Sequence, residues 1–181
     1  MLTIVADMRE RRSGICHALE KMENVSLSYA DLEAGDYILG EGVGLERKEA
    51  GDFINSLIHD KRLFEQIRLM KSSFERPLLL LEGNIFTTRS TIHPNALIGA
   101  LSYITALEGI PVIPVPSAKH TAQMLHTIAR HVQDGLGYQV PLRGNKPKDM
   151  DLAGQYLVEG LPAVGPSVAM KLLAHFGSRV R

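Results

Sequence analysis

Apolar and polar positions along the first 133 residues follow two periods, one typical of strands and one typical of helices. Short apolar runs bounded by turn residues predict strands at residues 2–6, 25–32, 37–39, 43–48, 78–81 and 110–115. Apolar residues three or four apart predict helices at residues 12–22, 50–70 with a break near Asp60, 94–107 and 117–131. This alternation of strands and helices predicts a three-layer α/β domain with a mixed sheet.

The pattern changes beyond residue 133. Residues 134–150 are rich in glycine, proline and charge, which predicts a linker. Residues 151–181 return to helical spacing around the pair Gly165-Pro166. We therefore expect a main domain at residues 1–133, a linker at 134–150 and a short helical segment at 151–181.

Composition narrows the classes of protein. The 181 residues carry a formal net charge of +0, so any nucleic-acid surface must be a local feature. The single cysteine, Cys16, excludes an intrachain disulfide and a cysteine-rich zinc site, and its place on an amphipathic helix predicts a buried thiol. No apolar run approaches the ~20 residues that span a bilayer. Charges directly after the first apolar run are the reverse of a signal peptide, so we expect a cytoplasmic protein without membrane contact.

Acidic and basic residues cluster in the predicted hairpin at residues 36–48. Residues two apart on a strand point to the same face, so Glu46 and Lys48 project together and Arg47 projects to the other side. Asp36 lies on the partner arm, and Asp7 ends the first strand, so both can reach the same patch. Carboxylates bind Mg²⁺ or Mn²⁺, and a metal beside a lysine suits phosphodiester hydrolysis.

An Asp followed ten residues later by Glu-x-Lys is the general pattern of the PD-(D/E)xK nucleases, but such spacing also occurs by chance. The alternative from these residues alone is a solvated hairpin that carries its charges on the open face. The wider run resembles the signature of the XPF family of structure-specific endonucleases, Gly-Asp-x(n)-Glu-Arg-Lys-x3-Asp. Every fixed position is present, at Gly35, Asp36, Glu46, Arg47, Lys48 and Asp52.

Further segments extend the resemblance over nearly the whole chain. Asp7, Arg9 and Glu10 match the first strand of the family, Val-Asp-x-Arg-Glu, although Ala6 intervenes between the valine and the aspartate. Other matches to archaeal members are Phe53, Ser56-Leu57, Arg62-Leu63, Gln66, Glu82-Gly83 and His93-Pro94-Asn95-Ala96.

The resemblance implies a restriction-nuclease-like fold and metal-dependent cleavage of DNA near branched or flap junctions, in repair or replication-fork processing. It implies that Asp7, Asp36 and Glu46 are ligands of Mg²⁺ or Mn²⁺ and that Lys48 is the catalytic lysine. The residues that would support the site are Arg47, Asp52, Arg9 and Glu10. Arg9 would steer the phosphate, or it is a plain surface charge. It also implies a homodimer formed through the nuclease domain, around the apolar helix at residues 94–107 and the next strand.

Two other classes of function stay open. The XPF family includes members that have lost their acidic residues and act as a non-catalytic DNA-binding or dimerisation partner of such a nuclease. Asp36, Glu46 and Lys48 are all retained here, which favours the enzyme. A hydrolase of free nucleotides would be expected to carry a P-loop, and the sequence contains none.

The final segment contains Leu-Pro-Ala-Val-Gly-Pro-Ser at residues 161–167. It resembles the hairpin of a helix-hairpin-helix motif, in which free backbone N–H groups at a helix start bind a phosphate without reading sequence. Val164, Gly165 and Ser167 would supply these contacts, and Lys171 would add charge. Ala163 stands where the family has glycine. The family carries two such motifs, so we describe the segment at residues 151–181 as a partial helix-hairpin-helix.

Overall fold

The computed structural model describes residues 1–58, 62–137 and 150–176. The chain divides into two compact units, Met1–Gly137 and Tyr138–Arg181. Most of the predicted linker, at residues 138–149, lies outside the described residues. No helix within the described ranges combines the length and the apolarity needed to cross a membrane.

The first unit is built on one mixed sheet of six strands in the order β2-β1-β3-β4-β5-β6. The strands are β1 (Leu2–Asp7), β2 (Val25–Ala30), β3 (Tyr37–Gly40), β4 (Val43–Glu49), β5 (Arg76–Glu82) and β6 (Val112–Val115). Strand β3 pairs antiparallel with both of its neighbours, and the other pairs are parallel. The predicted mixed sheet is therefore confirmed.

Helices cover both faces of this sheet. They are a 3₁₀ turn (Met8–Arg12), α1 (Gly14–Glu20), α2 (Ala50–Ile58), α3 (Arg62–Ser73), α4 (Pro94–Ser102) with a π-helical extension (Tyr103–Leu107), and α5 (Ala118–Gln133). One core packs α1 and α5 against the sheet, and Cys16 is buried in it as predicted. The second core packs α2, α3 and α4 against the other face. This arrangement confirms the three-layer α/β architecture.

The bounds of the helices follow the prediction closely, and local capping explains the later start of the first helix. The first helix begins at Gly14 rather than at residue 12, because the Ser13 hydroxyl accepts the Cys16 N–H at 3.3 Å and fixes the start. Residues 50–70, predicted to be helical with a break near Asp60, form two helices, α2 and α3, and residues 59–61 between them lie outside the described residues. Helix α5 starts after Ser117 as predicted, but that hydroxyl lies 2.9 Å from Nδ1 of His120 and does not cap the backbone.

The topology brings the polar strand ends to one side of the sheet. Five strands run in the same direction, and β3 runs against them. One edge of the sheet therefore collects the ends of β1, β2, β4, β5 and β6 together with the start of β3. We call it the carboxyl edge. Residues far apart in sequence meet there, including Asp7, Asp36, Lys48 and Glu82.

The second unit contains α6 (Met150–Val158) and α7 (Pro166–Phe176), which pack against each other. Ala163, in the turn between them, has a positive φ of 62°. This is the left-handed conformation for which a glycine is normally used, so the alanine does not prevent the turn. The Val164 N–H donates to the Leu161 carbonyl at 3.1 Å.

Candidate active site

Strand β4 carries two buried ionisable side chains on the face that α3 covers. Glu46 and Lys48 are only 7% and 9% exposed. Nζ of Lys48 lies 3.7 Å from Oε1 of Glu46, which is the shared face that the strand period predicts. This separation is an ion pair without a direct hydrogen bond.

Asp36 reaches the same region from the start of β3. Its Oδ2 accepts the Arg47 N–H at 2.8 Å, and its own N–H donates to the Leu45 carbonyl at 2.9 Å. The turn before it depends on Gly35, which has a φ of 74°. A Cβ on Gly35 would lie 3.0 Å from Sδ of Met70 and 3.2 Å from the Leu45 carbonyl. Glycine is therefore required both by conformation and by space.

The two carboxylates are electrostatically strained. Burial, and then the charge of Asp36, raise the pKa of Glu46 to about 7. Burial, and then the charge of Glu10, raise the pKa of Asp36 to about 6. Two like charges in a poorly solvated place destabilise each other, and a cation between them would remove that cost. Hard carboxylate oxygens suit Mg²⁺ or Mn²⁺, so this pair fits the predicted metal.

Asp7, predicted as a metal ligand, has both of its carboxylate oxygens bonded to neighbouring N–H groups. Its Oδ1 accepts the backbone N–H of Arg9 at 2.8 Å and Nε of Arg9 at 2.6 Å, and its Oδ2 accepts the Leu32 N–H at 2.9 Å. The bond from the Arg9 side chain is the main reason that the pKa of Asp7 is lowered to about 2. Asp7 thus caps the 3₁₀ turn, and the structure does not gather it with Asp36 and Glu46 into a site. Within the described ranges, no three His, Cys, Asp or Glu side chains converge to hold a metal.

The 3₁₀ turn borders the carboxylate pair. Oε2 of Glu10 accepts the hydroxyl of the buried Tyr37 at 2.7 Å, and the charge of Glu10 acts on Asp36. Arg9 is largely exposed and lowers the pKa of both Asp36 and Glu46 through its charge. Glu10 is therefore a further acidic group, beside Glu46, whose charge acts on Asp36.

Arg47 projects to the opposite face of β4, as predicted, and forms a separate network with α5. Its Nε lies 3.0 Å from Oε2 of Glu82, and its Nη2 lies 2.7 Å from Oε1 of Glu49. The Thr121 hydroxyl donates to the same Glu82 oxygen at 2.6 Å. The contact of Arg47 with Asp36 is made by its backbone N–H. Asp52 is exposed in the first turn of α2, where a negative charge stabilises a helix start.

Sequence reasoning gave no site role to Gln66, on α3. Its Nε2 donates to Oε1 of Glu46 at 2.8 Å, and its Oε1 accepts from Nζ of Lys48 at 2.8 Å. The signal was present in the helical pattern. Gln66 is three residues after the buried Leu63 and four before the buried Met70, so it is a polar residue on the buried face of an amphipathic helix.

Comparison with known proteins places this geometry in a family. Residues 6–128 match the ERCC4 domain. A protein of Methanocaldococcus jannaschii whose name describes an ATP-dependent RNA helicase is 40% identical over 97% of this chain and 22% of its own length. The 3'-flap repair endonuclease Xpf of Saccharolobus solfataricus is 33% identical over 98% of this chain and 77% of its own length. The chain therefore spans about a fifth of the first relative and three quarters of the second.

Solved structures agree with these sequence relatives. XPF from Aeropyrum pernix in complex with DNA superposes with a TM-score of 0.70 and 26% identity, over 98% of this chain and 83% of that one. The structure of the same protein described without DNA gives a TM-score of 0.69 and 27% identity, over 97% and 82% of the two chains. The match extends over most of both chains, beyond the ERCC4 domain alone. The chain belongs to the XPF family, and residues 6–128 form its ERCC4 domain.

Proposed function

We propose that the chain is a metal-dependent endonuclease that hydrolyses DNA phosphodiester bonds near branched or flap junctions, in repair or replication-fork processing. The observation that carries the proposal is the meeting of Asp36, Glu46 and Lys48 at the carboxyl edge. The name of the Saccharolobus relative and the DNA bound to the Aeropyrum one point to the same class of substrate. In a prokaryote the place of action would be the cytoplasm, on the nucleoid.

Asp36 and Glu46 would hold the cation. Each has one oxygen fixed by a protein N–H, Oδ2 of Asp36 by Arg47 and Oε1 of Glu46 by Gln66. Such hydrogen bonds to a carboxylate restrict its orientation, as they do for ligands in known metal sites. Mg²⁺ commonly binds through one or two carboxylates and keeps several waters, so two protein ligands suffice, with Glu10 nearby. Mg²⁺ or Mn²⁺ bound there supplies a polarised phosphate and an activated water.

Lys48 would act on the reacting phosphate. Its ammonium group is buried and held by Gln66 beside the carboxylates. A positive charge fixed in a site with little water stabilises developing negative charge more strongly than the same charge in solution. We assign Lys48 to orient the attacking water and to stabilise the charge that develops on the phosphate oxygens.

The second unit would hold the duplex by its backbone. Gly165 and Ser167 lie at the start of α7, where helix geometry provides no acceptor for their N–H groups. Both residues are exposed, and so is Lys171 one helical turn later. These three groups would bind a phosphate. The N–H of Val164 already donates to Leu161, so it is not one of the free donors that the sequence suggested.

A second copy of the chain would cover the outer surface at β6. A groove of about 650 Å³ is lined there mainly by apolar residues: Leu81, Ile85, Phe86, Leu101, Val112 and Pro114. Phe86, Ile98 and Leu107 are each more than half exposed nearby. A two-fold dimer buries the same patch of each copy. Sedimentation should give a dimer at tens of micromolar and should shift toward monomer for Leu107→Glu. A wild-type monomer at that concentration contradicts this part of the proposal.

One assay tests the nuclease proposal as a whole. A labelled 3'-flap duplex should be cut by the wild-type chain with Mg²⁺ or Mn²⁺, and exhaustive chelation should abolish the cleavage. The matching linear duplex and single strand should be cut more slowly. Cleavage that survives chelation would contradict the metal, and equal rates on all three substrates would contradict the junction preference.

A further inference from the structure

The position of Lys48 raises a chemical difficulty for a metal site. A buried ammonium beside a buried carboxylate normally closes to a direct charge-assisted hydrogen bond of about 2.7–2.9 Å. Such a contact would occupy the Glu46 oxygens and would compete with a cation for the same negative charge. In this structure, Nζ of Lys48 stays 3.7 Å from Oε1 of Glu46, beyond hydrogen-bond distance.

Gln66 accounts for this separation. Lys48 is donor-only, so the Gln66 carbonyl oxygen must face it, and the amide nitrogen of Gln66 must then face Glu46. Both bonds are 2.8 Å long, so the amide stands between the two charges and satisfies each of them. The backbone of α3 is fixed beside this amide by Leu63, Ile67 and Met70, all buried in the core, so Gln66 cannot easily withdraw.

We infer that Gln66 is a positioning residue that keeps Lys48 from neutralising Glu46 and so preserves the affinity of the site for its divalent cation. This inference rests on the proposed metal-dependent function. It assigns Gln66 no contact with the substrate. Loss of the amide would let Lys48 close onto Glu46, and the cation would then have to displace an internal ammonium.

The test measures metal binding apart from cleavage. Mn²⁺ affinity of the full chain is measured by isothermal titration calorimetry for the wild type, Gln66→Met and the control Gln123→Met, an exposed position on α5. Gln66→Met keeps the side-chain length and removes both bonds. We expect it to weaken Mn²⁺ binding about 10- to 100-fold, the range for groups that orient metal ligands. The control should bind like the wild type.

A double variant separates this role from a purely structural one. If Lys48 is the competing cation, adding Lys48→Met to Gln66→Met should restore Mn²⁺ affinity, while cleavage should remain at least ~10²-fold slower than in the wild type because Lys48 is missing. Because residues of one network can also couple in stability, the melting temperatures of the single and double variants are measured beside the titrations, and recovery of Mn²⁺ affinity at an unchanged melting temperature assigns the effect to Lys48. In Gln66→Met alone, excess Mn²⁺ should recover much of the cleavage rate, with the KM for a flap duplex unchanged.

The outcomes distinguish this inference from the function on which it rests. Mn²⁺ binding by Gln66→Met equal to that of the wild type overturns the inference and leaves the nuclease proposal intact. A double variant that binds as weakly as Gln66→Met also overturns it. Failure of the wild type to bind Mn²⁺ removes the metal site itself, and the inference falls with it. Should Gln66→Met not fold, Gln66→Asn, which is too short to bridge both groups, takes its place with the same expectations.

Discussion

Ionisable groups on the two faces of the sheet, at strands β4 and β5, have opposite electrostatic surroundings. On the α3 face, Glu46 is buried beside Asp36, and its pKa is raised to about 7. On the α5 face, burial raises the pKa of Glu82, but bonds from Arg47 and Thr121 outweigh that effect and lower it. Glu46 and Arg47 are successive residues of β4. Glu46 faces a site of carboxylates that repel each other, and Arg47 faces a network in which each charge has a partner.

This difference separates a face of the sheet that could bind a ligand from a face that stabilises the fold. A satisfied network adds rigidity but has no capacity left for a ligand, because its donors and acceptors already match. The carboxylates on the α3 face repel each other, so the binding of a cation would lower the free energy of the site. The Arg47 N–H that reaches Asp36 joins the two faces, so the α5 network holds the site without taking part in it.

Removing charges from the strained face should have the largest effect. Lys48→Met and Asp36→Asn should each reduce the single-turnover cleavage rate by at least ~10²-fold, the scale for losing one group that stabilises the transition state. The fold should persist, since neither change opens a large cavity. Single-turnover rates on a flap duplex with Mg²⁺ measure the loss of cleavage, and melting temperatures measure whether the fold persists. Lys119→Met, exposed on α5, is the matched control and should cut normally. Wild-type rates for both variants would remove these residues from the site.

The strained face should also give a distinctive pH dependence of stability. Folding raises the pKa of Glu46 from 4.5 to about 7, so the ionised carboxylate destabilises the metal-free fold above pH 7. That cost disappears as the pH falls from 7 toward 4.5. Between pH 8 and pH 5 in chelator, the wild type should gain roughly 1–3 kcal/mol relative to Glu46→Gln. Urea unfolding at both pH values measures the free energy of unfolding. Equal changes in the wild type and in Glu46→Gln would contradict the destabilising effect of the Glu46 charge.

The satisfied face should respond in the opposite direction. Because folding lowers the pKa of Glu82, its charge stabilises the fold above pH 4.5, and that contribution is lost on acidification. Glu82→Gln should destabilise the protein by about 2 kcal/mol at pH 7, the scale for a hydrogen bond to a charged group, since it weakens the largely buried contact with Arg47. The difference from the wild type should shrink below pH 4. Cleavage should fall less than tenfold, and a loss as large as that of Lys48→Met would show that the two faces are not separate.

The smallest effect is expected at the rim of the same network. Glu49 is the second partner of Arg47, but its side chain is 56% exposed. Solvent screens such a pair, so Glu49→Gln should change the free energy of unfolding by no more than about 0.5 kcal/mol. Urea unfolding at pH 7 beside Glu82→Gln makes the comparison. A cost equal to that of Glu82→Gln would mean that burial does not determine the strength of these contacts.

The local rules of strands and helices predicted most of the fold. The period of two placed Glu46 and Lys48 on one face and Arg47 on the other, because side-chain alternation is a property of any strand. The short apolar runs predicted the first and last residues of the strands to within a few positions. The start of the first helix was missed, because it depends on the Ser13 hydroxyl rather than on the apolar pattern.

The site was harder to predict, because its decisive contacts join distant parts of the chain. Asp7 has the sequence position of a ligand, but the Leu32 N–H and the neighbouring Arg9 occupy its carboxylate. Gln66 is 20 residues from Glu46 in sequence, and only the packing of α3 on the sheet brings them together. A pattern along one strand carries no information about either contact.

The left-handed Ala163 bears on how such hairpins are recognised in other sequences. A residue with a Cβ is destabilised by about 1–2 kcal/mol in this conformation. The turn between α6 and α7 nevertheless forms with alanine. The turn therefore requires a positive φ at this position, and glycine is favoured there but not required. A search that insists on glycine at this position would pass over chains like this one, whereas a search that asks for a small residue after proline and a glycine two places later would retrieve them.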